Sequence, residues 1–259
     1  LSKLTRSLIE NAVKMDFLKS LSGKRIFTEL SLLLSEERAL HMVRRMHELG
    51  LMKYIHPDVQ YDASLRQLFK SASSVLAWYD LLYLDNTCEK WFVFLLALLD
   101  RIKPDGLPEL CRYFDLKKKY RDAIASAKTA GNDILFRFAQ KQQPSHAEIR
   151  TLLNGIPLEV CLYLMAKTSR QSTKKLFSLY FTRLRDIKLH VTGRDLIKLG
   201  IPPGRIYKQI LDSLLEAALN GRVESREDEL RYVKKRFLKR AGGGSRRIKP
   251  ASLQPKEPS

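Results

Sequence analysis

Apolar residues recur three and four positions apart along most of this chain, which is the spacing of one face of an α-helix. The clearest case is the stretch 206–218, where the pattern places six apolar residues on one face: Ile206, Ile210, Leu211, Leu214, Leu215 and Ala218. Convincing strand-like alternation is found nowhere in the sequence. The pattern therefore predicts an all-α fold, an irregular elongated array of roughly a dozen helices.

Serine residues mark where two of these helices are expected to begin. Ser22 precedes an apolar stripe over 23–34, and Ser225 precedes a last helix expected from Arg226 to about Lys239. A serine hydroxyl in this position accepts a hydrogen bond from a free N–H of the first turn. Between them, the spacing of leucines and aromatic residues predicts one long helix over 63–84.

The stretch 190–219 predicts two helices joined by a rigid turn. Thr192 and Asp195 have the spacing of a capping box, and Gly200 is the expected left-handed residue that ends the first helix. Pro203 suits the first turn of the second helix, where its missing N–H costs nothing. The free N–H groups expected to offer a phosphate seat there belong to Gly204, Arg205 and Ile206. An ordinary helical hairpin with solvated lysines fits the same spacing.

The charge balance indicates a polyanionic partner. The chain has 259 residues, and 47 Lys and Arg against 28 Asp and Glu give a net charge of +19. Nucleic acid is the partner that such an excess favours. An anionic membrane is the alternative, but no basic amphipathic helix with exposed Trp or Phe stands apart from the core pattern. The longest apolar run, 91–99, is too short to span a bilayer.

Cysteine and histidine spacing predicts no metal site. Cys88, Cys111 and Cys161 are isolated, which excludes a cysteine metal box and a disulfide framework and favours a reducing, cytoplasmic location. The histidines form no H-E-x-x-H motif and no His-Asp doublet. We interpret them as ordinary surface or second-layer residues.

Two pairs of segments carry a resemblance to a known family. TGRDLIKLGIPPGRIYKQIL followed by GRVESREDEL resembles the C-terminal part of class II tRNA nucleotidyltransferases, which include CCA-adding, A-adding and bacterial poly(A) polymerase enzymes. LSGKRIFTELSLLL and HELGLMKYIHPDV resemble the neck and first body helices of the same family. The resemblance implies a neck and first body helices over 1–60, a helical body over 61–189 and a basic tail module over 190–240. Residues 241–259 lack a core-forming pattern and are predicted to be disordered.

The resemblance implies supporting residues in the neck and no catalytic residue. Arg25 and Glu29 lie one helical turn apart, so we expect a salt bridge worth a few tenths of a kcal/mol. In the family these two residues support the nucleotide-binding region, although Lys24 stands where the family often has an acid. The family's Asp-x-Asp carboxylates, which follow a Gly-Ser on a strand, are absent from the sequence. They are expected in a catalytic head preceding Leu1, together with Mg²⁺ and a nucleoside triphosphate, ATP or also CTP.

The remaining expectation is RNA binding. The resemblance implies contact with the acceptor stem and T arm of tRNA, and A-form RNA is recognised through its shape, phosphates and 2′ hydroxyls. The expected partners are therefore tRNA or other structured RNA and the protein's own catalytic head. A poly(A) polymerase fragment, or a non-enzymatic basic scaffold that binds RNA, DNA or an acidic protein, is the alternative. The candidate phosphate contacts are Lys174, Lys175, Arg194, Lys198, Arg205, Lys208, Lys234, Lys235 and Arg236.

Overall fold

The computed structural model describes residues 2–84, 87–140 and 143–238, and the predicted disordered tail over 241–259 lies outside these ranges. Within them the chain forms fourteen α-helices and no strand, so the all-α prediction is confirmed. The helices are α1 Lys3–Lys14, α2 Gly23–Ser35, α3 Ala39–Glu48, α4 Ala63–Asp80, α5 Lys90–Leu98, α6 Leu107–Tyr113, α7 Lys118–Lys128, α8 Ala130–Gln140, α9 His146–Leu153, α10 Leu158–Lys167, α11 Gln171–Leu179, α12 Gly193–Lys198, α13 Ile206–Leu219 and α14 Arg226–Val233.

The chain divides into two compact units. The larger unit comprises residues 1–144 and 148–185, and the C-terminal unit comprises 145–147 and 186–259. The four-part division expected from the sequence is finer than this one and stays a prediction.

Two helices without a polar face form the centre of the larger unit. Every residue of 92–98 in α5 and of 160–166 in α10 is buried. A helix that is apolar on all sides is stable only when other elements surround it. Accordingly α4 packs against both helices, and α2 packs against α5. No single helix among the described residues is long and apolar enough to span a membrane, although the bent pair α9 and α10 passes by length and composition.

Helix boundaries agree with the sequence where a cap defines them. The Ser22 hydroxyl accepts a hydrogen bond from the Arg25 N–H at the start of α2, as predicted. The helix predicted over 63–84 extends too far at its C-terminal end, since α4 ends at Asp80. The chain then turns, and Tyr83 has a φ of 48°, which is outside the helical region. The predicted last helix also differs, because α14 ends at Val233 and continues as a π-helical turn over Lys234–Leu238.

The expected salt bridge between Arg25 and Glu29 is not formed. Both side chains are exposed and border a largely apolar pocket of about 310 Å³, and the neighbouring Lys24 pairs instead with Asp115 at 3.0 Å. An exposed pair with the basic residue nearer the helix N-terminus gains a few tenths of a kcal/mol at most, which does not offset the entropy of fixing two long side chains.

Gly23 lets the start of α2 approach the end of α6. It is buried, and a Cβ at this position would lie 2.0 Å from the carbonyl oxygen of Tyr113. The obstacle is backbone, which cannot rotate away as a flexible side chain can. The contact therefore depends on the absence of a side chain at residue 23.

We expect Gly23→Ala to lower the free energy of unfolding of the larger unit by about 3 kcal/mol, because the added methyl group forces α2 and α6 apart. Urea denaturation followed by circular dichroism measures the loss. Gly204→Ala is the matched control, since a Cβ on Gly204 would meet no atom within 4 Å. Equal stability of the two variants would contradict this account of the contact.

Candidate nucleic-acid interface

Local capping builds the first helix of the predicted hairpin. The Asp195 carboxylate accepts hydrogen bonds from the N–H and the hydroxyl of Thr192, both at 2.9 Å, and the capping box is present as predicted. These two bonds lower the pKa of Asp195 below its ordinary value. Gly200 has a φ of 77° and ends the helix, also as predicted.

The second helix starts later than its prolines indicate. α13 begins at Ile206, so Pro203 lies in the connecting loop and not in the first turn of the helix. The Tyr207 hydroxyl donates to the Ile201 carbonyl at 2.8 Å, and this bond closes the loop across both prolines. Arg205 is therefore the residue that precedes the helix, and the phosphate seat predicted at its first amides stays a prediction.

The buried face of α13 is shifted from the predicted one. Ile206 is 42% exposed, so its placement on the buried face is wrong. Ile210 and Leu214 are fully buried as expected, and Ala217 joins them. Leu211, Leu215 and Ala218 are half-buried. Ile206 escapes burial because it belongs to the first turn, where the chain has only just left the exposed Pro202–Arg205 loop.

Two carboxylates fix the entry to α12 against the start of α14. The Glu229 side chain is 3% exposed and accepts hydrogen bonds from the Val191 N–H at 2.7 Å and the His190 N–H at 2.9 Å. The Asp195 carboxylate pairs in turn with Arg226 at 2.5 Å. The chain before α12 is therefore held by charge-assisted bonds from both sides.

Glu229 is buried, although acidic residues in the first turn of a helix usually lie on the surface and compensate the helix dipole. Leu230 and Val233 follow it on α14, and Val233 lies one helical turn away on the same face. That face is the buried one, since Val233 belongs to the core of the C-terminal unit. The spacing of Glu229 to Val233 is the signal that would have revealed the buried carboxylate.

Seven of the predicted phosphate contacts lie in the C-terminal unit, and all seven are exposed. None has a carboxylate within salt-bridge distance in the described part of the chain, and Asp195 and Asp228 pair instead with Arg226 and Arg231. The seven are Arg194 and Lys198 on α12, Arg205 and Lys208 at the start of α13, and Lys234, Lys235 and Arg236 in the π-helical turn. We call them the tail cations.

A tyrosine anchors the last group of tail cations. The Tyr232 hydroxyl lies 3.0 Å from that of Ser213 on α13, and Arg236 donates to the same hydroxyl at 2.6 Å. The ring also lies under the Arg236 guanidinium, 5.7 Å from centroid to Cζ. Phe237 and Leu238 pack against the core of the unit. The π-helical turn is therefore attached to the fold, which keeps its three cations in defined positions.

The other two predicted contacts lie in the larger unit. Lys175 on α11 is exposed, whereas Lys174 is half-buried. Lys188 and Arg222 are exposed cations of the C-terminal unit that form no ion pair within the described ranges, unlike Arg226 and Arg231, and they were not among the predicted contacts. Only the overall charge excess pointed to them.

Acidic, histidine and cysteine side chains do not assemble into a metal site. Across the described ranges, no three such residues lie close enough to hold a metal ion. Cys111 and Cys161 are free and buried, and burial raises the pKa of the Cys161 thiol to about 12.

Comparison with known proteins supports the family resemblance. Residues 1–62 match the family described as the probable RNA and SrmB-binding site of polymerase A. The chain is 38% identical, over 90% of its length, to an A-adding tRNA nucleotidyltransferase of Geobacter sulfurreducens, and 22% identical over 73% to that of Aquifex aeolicus. It covers 27% and 22% of these two proteins, so it spans about a quarter of their length.

Solved structures show the same fold. The Thermotoga maritima CCA-adding enzyme, determined in complex with tRNA, superposes with a TM-score of 0.72 over 90% of this chain at 21% identity. This chain covers 56% of that protein. An apo form of a CCA-adding enzyme gives a TM-score of 0.71 with similar coverage. These structures show the fold, and the 38% identity and the match of residues 1–62 support the predicted resemblance to the C-terminal part of tRNA nucleotidyltransferases.

We expect Glu229→Ala to destabilise the C-terminal unit by about 3 kcal/mol, because it leaves the N–H groups of His190 and Val191 without an acceptor. Hydrogen exchange of the α12 and α13 amides measures this loss. Glu227→Ala removes an exposed carboxylate from the same turn and is the matched control. The account fails if exchange in the two variants is equally slow.

Proposed function

We propose, on the premise that this chain corresponds to the C-terminal part of a tRNA nucleotidyltransferase, that it is the RNA-binding part of an A-adding or CCA-adding enzyme. The identity of 38% to an A-adding enzyme across 90% of the chain carries this proposal. The RNA is tRNA, contacted along its acceptor stem and T arm. The chain's task is to hold the RNA while its 3′ end is extended elsewhere in the protein.

The tail cations support this role through their charge and their rigidity. A phosphate backbone attracts exposed Lys and Arg and releases counterions when they bind, which makes the affinity depend on salt. Pairing with a protein carboxylate would oppose this, and no tail cation forms such a pair among the described residues. Asp195 and Asp228 pair with Arg226 and Arg231, and Glu229 binds the backbone. Lys174 and Lys175 add two cations from the larger unit.

Extension of the RNA requires metal-binding groups that the described residues do not bring together. Nucleotidyl transfer uses Mg²⁺ bound by closely spaced carboxylates to stabilise the attacking and leaving oxygens. The described residues do not fit such a centre, because they contain no cluster of three metal-binding side chains. We therefore assign the nucleoside triphosphate, ATP or also CTP, and its metal ions to a catalytic head outside this sequence, and derive no catalytic step from this chain.

Arg25 and Glu29 are proposed to support that head. They border a largely apolar pocket and have no ion-pair partner in the described ranges, so both charges are free to meet a neighbouring domain. We further propose a cytoplasmic location, where tRNA is processed and where the free cysteines stay reduced.

Polyadenylation is the second candidate function. The match of residues 1–62 to a region named after polymerase A favours it. The length of product that the whole protein makes from ATP on tRNA distinguishes the two activities: one terminal adenosine or a CCA end for the first, and a long tail for the second.

We expect Lys234→Glu with Lys235→Glu to weaken tRNA binding about 100-fold at moderate salt and to reduce the slope of log affinity against log salt by about two, because two phosphate contacts are lost. Filter binding or fluorescence anisotropy over a salt series measures both. Lys70→Glu with Lys103→Glu changes the net charge equally at exposed positions outside the predicted contacts. Equal losses in the two double variants would reduce the proposal to a general effect of net charge.

A further inference from the structure

A second pocket in the larger unit has the chemistry of a nucleotide site. Its volume is about 490 Å³, and it lies between the segment 53–57 and helix α6. This size is within the range of small-molecule sites. The lining residues on which the inference rests are Lys19, Lys53, His56, Glu109, Leu110 and Tyr113. All of its lining residues belong to the larger unit, whereas the tail cations belong to the C-terminal unit.

Two lining residues of the pocket form a positively charged cluster. Lys19 and Lys53 each lie 2.8 Å from the carboxylate of Asp16, so two ammonium groups share one negative charge. Hydrogen bonds from Lys19, Lys53 and Tyr54 hold the pKa of Asp16 well below its usual range, and the cluster keeps a net charge of +1. The Lys19 side chain is 71% exposed and has donors left for an incoming phosphate.

A histidine adds an oriented donor. The Nδ1 atom of His56 accepts a hydrogen bond from the Asp58 N–H at 3.1 Å, which leaves the proton of the neutral ring on Nε2. A methyl group placed on Gly106 would lie 3.5 Å from Nε2, so this atom lies beside another lining residue of the pocket. Among the described residues Nε2 has no hydrogen-bond acceptor, and a ligand oxygen is the natural partner.

Helix α6 contributes an aromatic ring and a carboxylate to the lining. Tyr113 is 46% exposed, and beside it Leu110 is 4% exposed. Stacking on an exposed tyrosine is a common way to bind an unpaired base. Glu109 is exposed and has no ion-pair partner in the described ranges. A carboxylate repels a simple anion, but it accepts hydrogen bonds from a ribose hydroxyl or a base amino group.

We propose that this pocket binds one ribonucleotide, with its phosphate at Lys19 and Lys53 and its base on Tyr113. Cations alone would fit any anion, whereas cations, a ring and a carboxylate along one cavity fit a ligand that joins a phosphate to a ribose and a base. A free mononucleotide and an unpaired nucleotide of a bound RNA share this chemistry. The proposal goes beyond the tail cations and does not depend on them.

The test uses four probes on the whole chain: AMP, inorganic phosphate, a single-stranded hexanucleotide and a blunt RNA duplex. Binding is followed by the NMR signals of the His56 ring. A shift with AMP indicates a free nucleotide as ligand, and a shift with the hexanucleotide alone indicates an unpaired nucleotide of RNA. Equal affinity for phosphate and AMP would overturn the proposal, as would the absence of any shift at millimolar concentrations.

Two variants locate the binding. We expect Tyr113→Leu and Gly106→Ala each to weaken about tenfold the binding of whichever probe shifts the His56 signals. Tyr113→Leu removes the stacking surface, and Gly106→Ala places a methyl group 3.5 Å from Nε2 of His56. Lys14→Ala, an exposed cation on α1, is the matched control and should bind as the unchanged chain does. Thermal unfolding of each variant checks that the fold is retained.

Unchanged affinity in both pocket variants would overturn the proposal. Binding of tRNA through the tail cations is measured separately with Lys234→Glu and Lys235→Glu. If nucleotide binding to the pocket is not observed, the proposed RNA-binding function is unaffected. If the lysine variants bind tRNA normally, the nucleotide proposal is likewise unaffected.

Discussion

The C-terminal unit depends on the enclosed carboxylate of Glu229, which binds the backbone just before α12. With Asp195 it holds the start of one helix against the start of another, using bonds that a neutral side chain of similar size would make more weakly. The same arrangement affects the surface. Since Asp195, Asp228 and Glu229 bind Arg226, Arg231 and the backbone, these three carboxylates form no ion pair with the tail cations.

The larger unit combines a fully apolar centre with a polar, varied surface. Since α5 and α10 have no polar face, burial largely fixes their position, and a few polar contacts such as that of Ser71 with the Ala166 carbonyl add to it. Gly23 then brings α2 against α6. The two pockets therefore border on tightly packed helices and open to solvent. Such a setting suits the proposed support of the head by Arg25 and Glu29 at the first pocket and the proposed nucleotide site at the second.

Features set by neighbouring residues were predictable, and features set by distant ones were not. The capping box of Thr192 and Asp195 and the left-handed Gly200 involve residues a few positions apart, so the sequence alone identified them. The late start of α13 depends on a bond from Tyr207 to Ile201, and the burial of Glu229 depends on the contact of α14 with residue 191. Arg25 and Glu29 had the spacing of an ion pair, but the gain was too small to fix them. The tail cations were found from charge clustering, although no spacing rule showed that their acidic neighbours would be engaged elsewhere.

The most direct test of the central claim is the binding of this chain to full tRNA, to a minihelix made of the acceptor stem and T arm, and to unstructured RNA of equal length, each over a salt series. The account predicts equal and tight binding to tRNA and the minihelix, and weak binding to unstructured RNA. Loss of all preference among the three would mean that the net charge of +19 forms only a general polyanion-binding surface. It would contradict the proposal that the chain contacts the acceptor stem and T arm of tRNA.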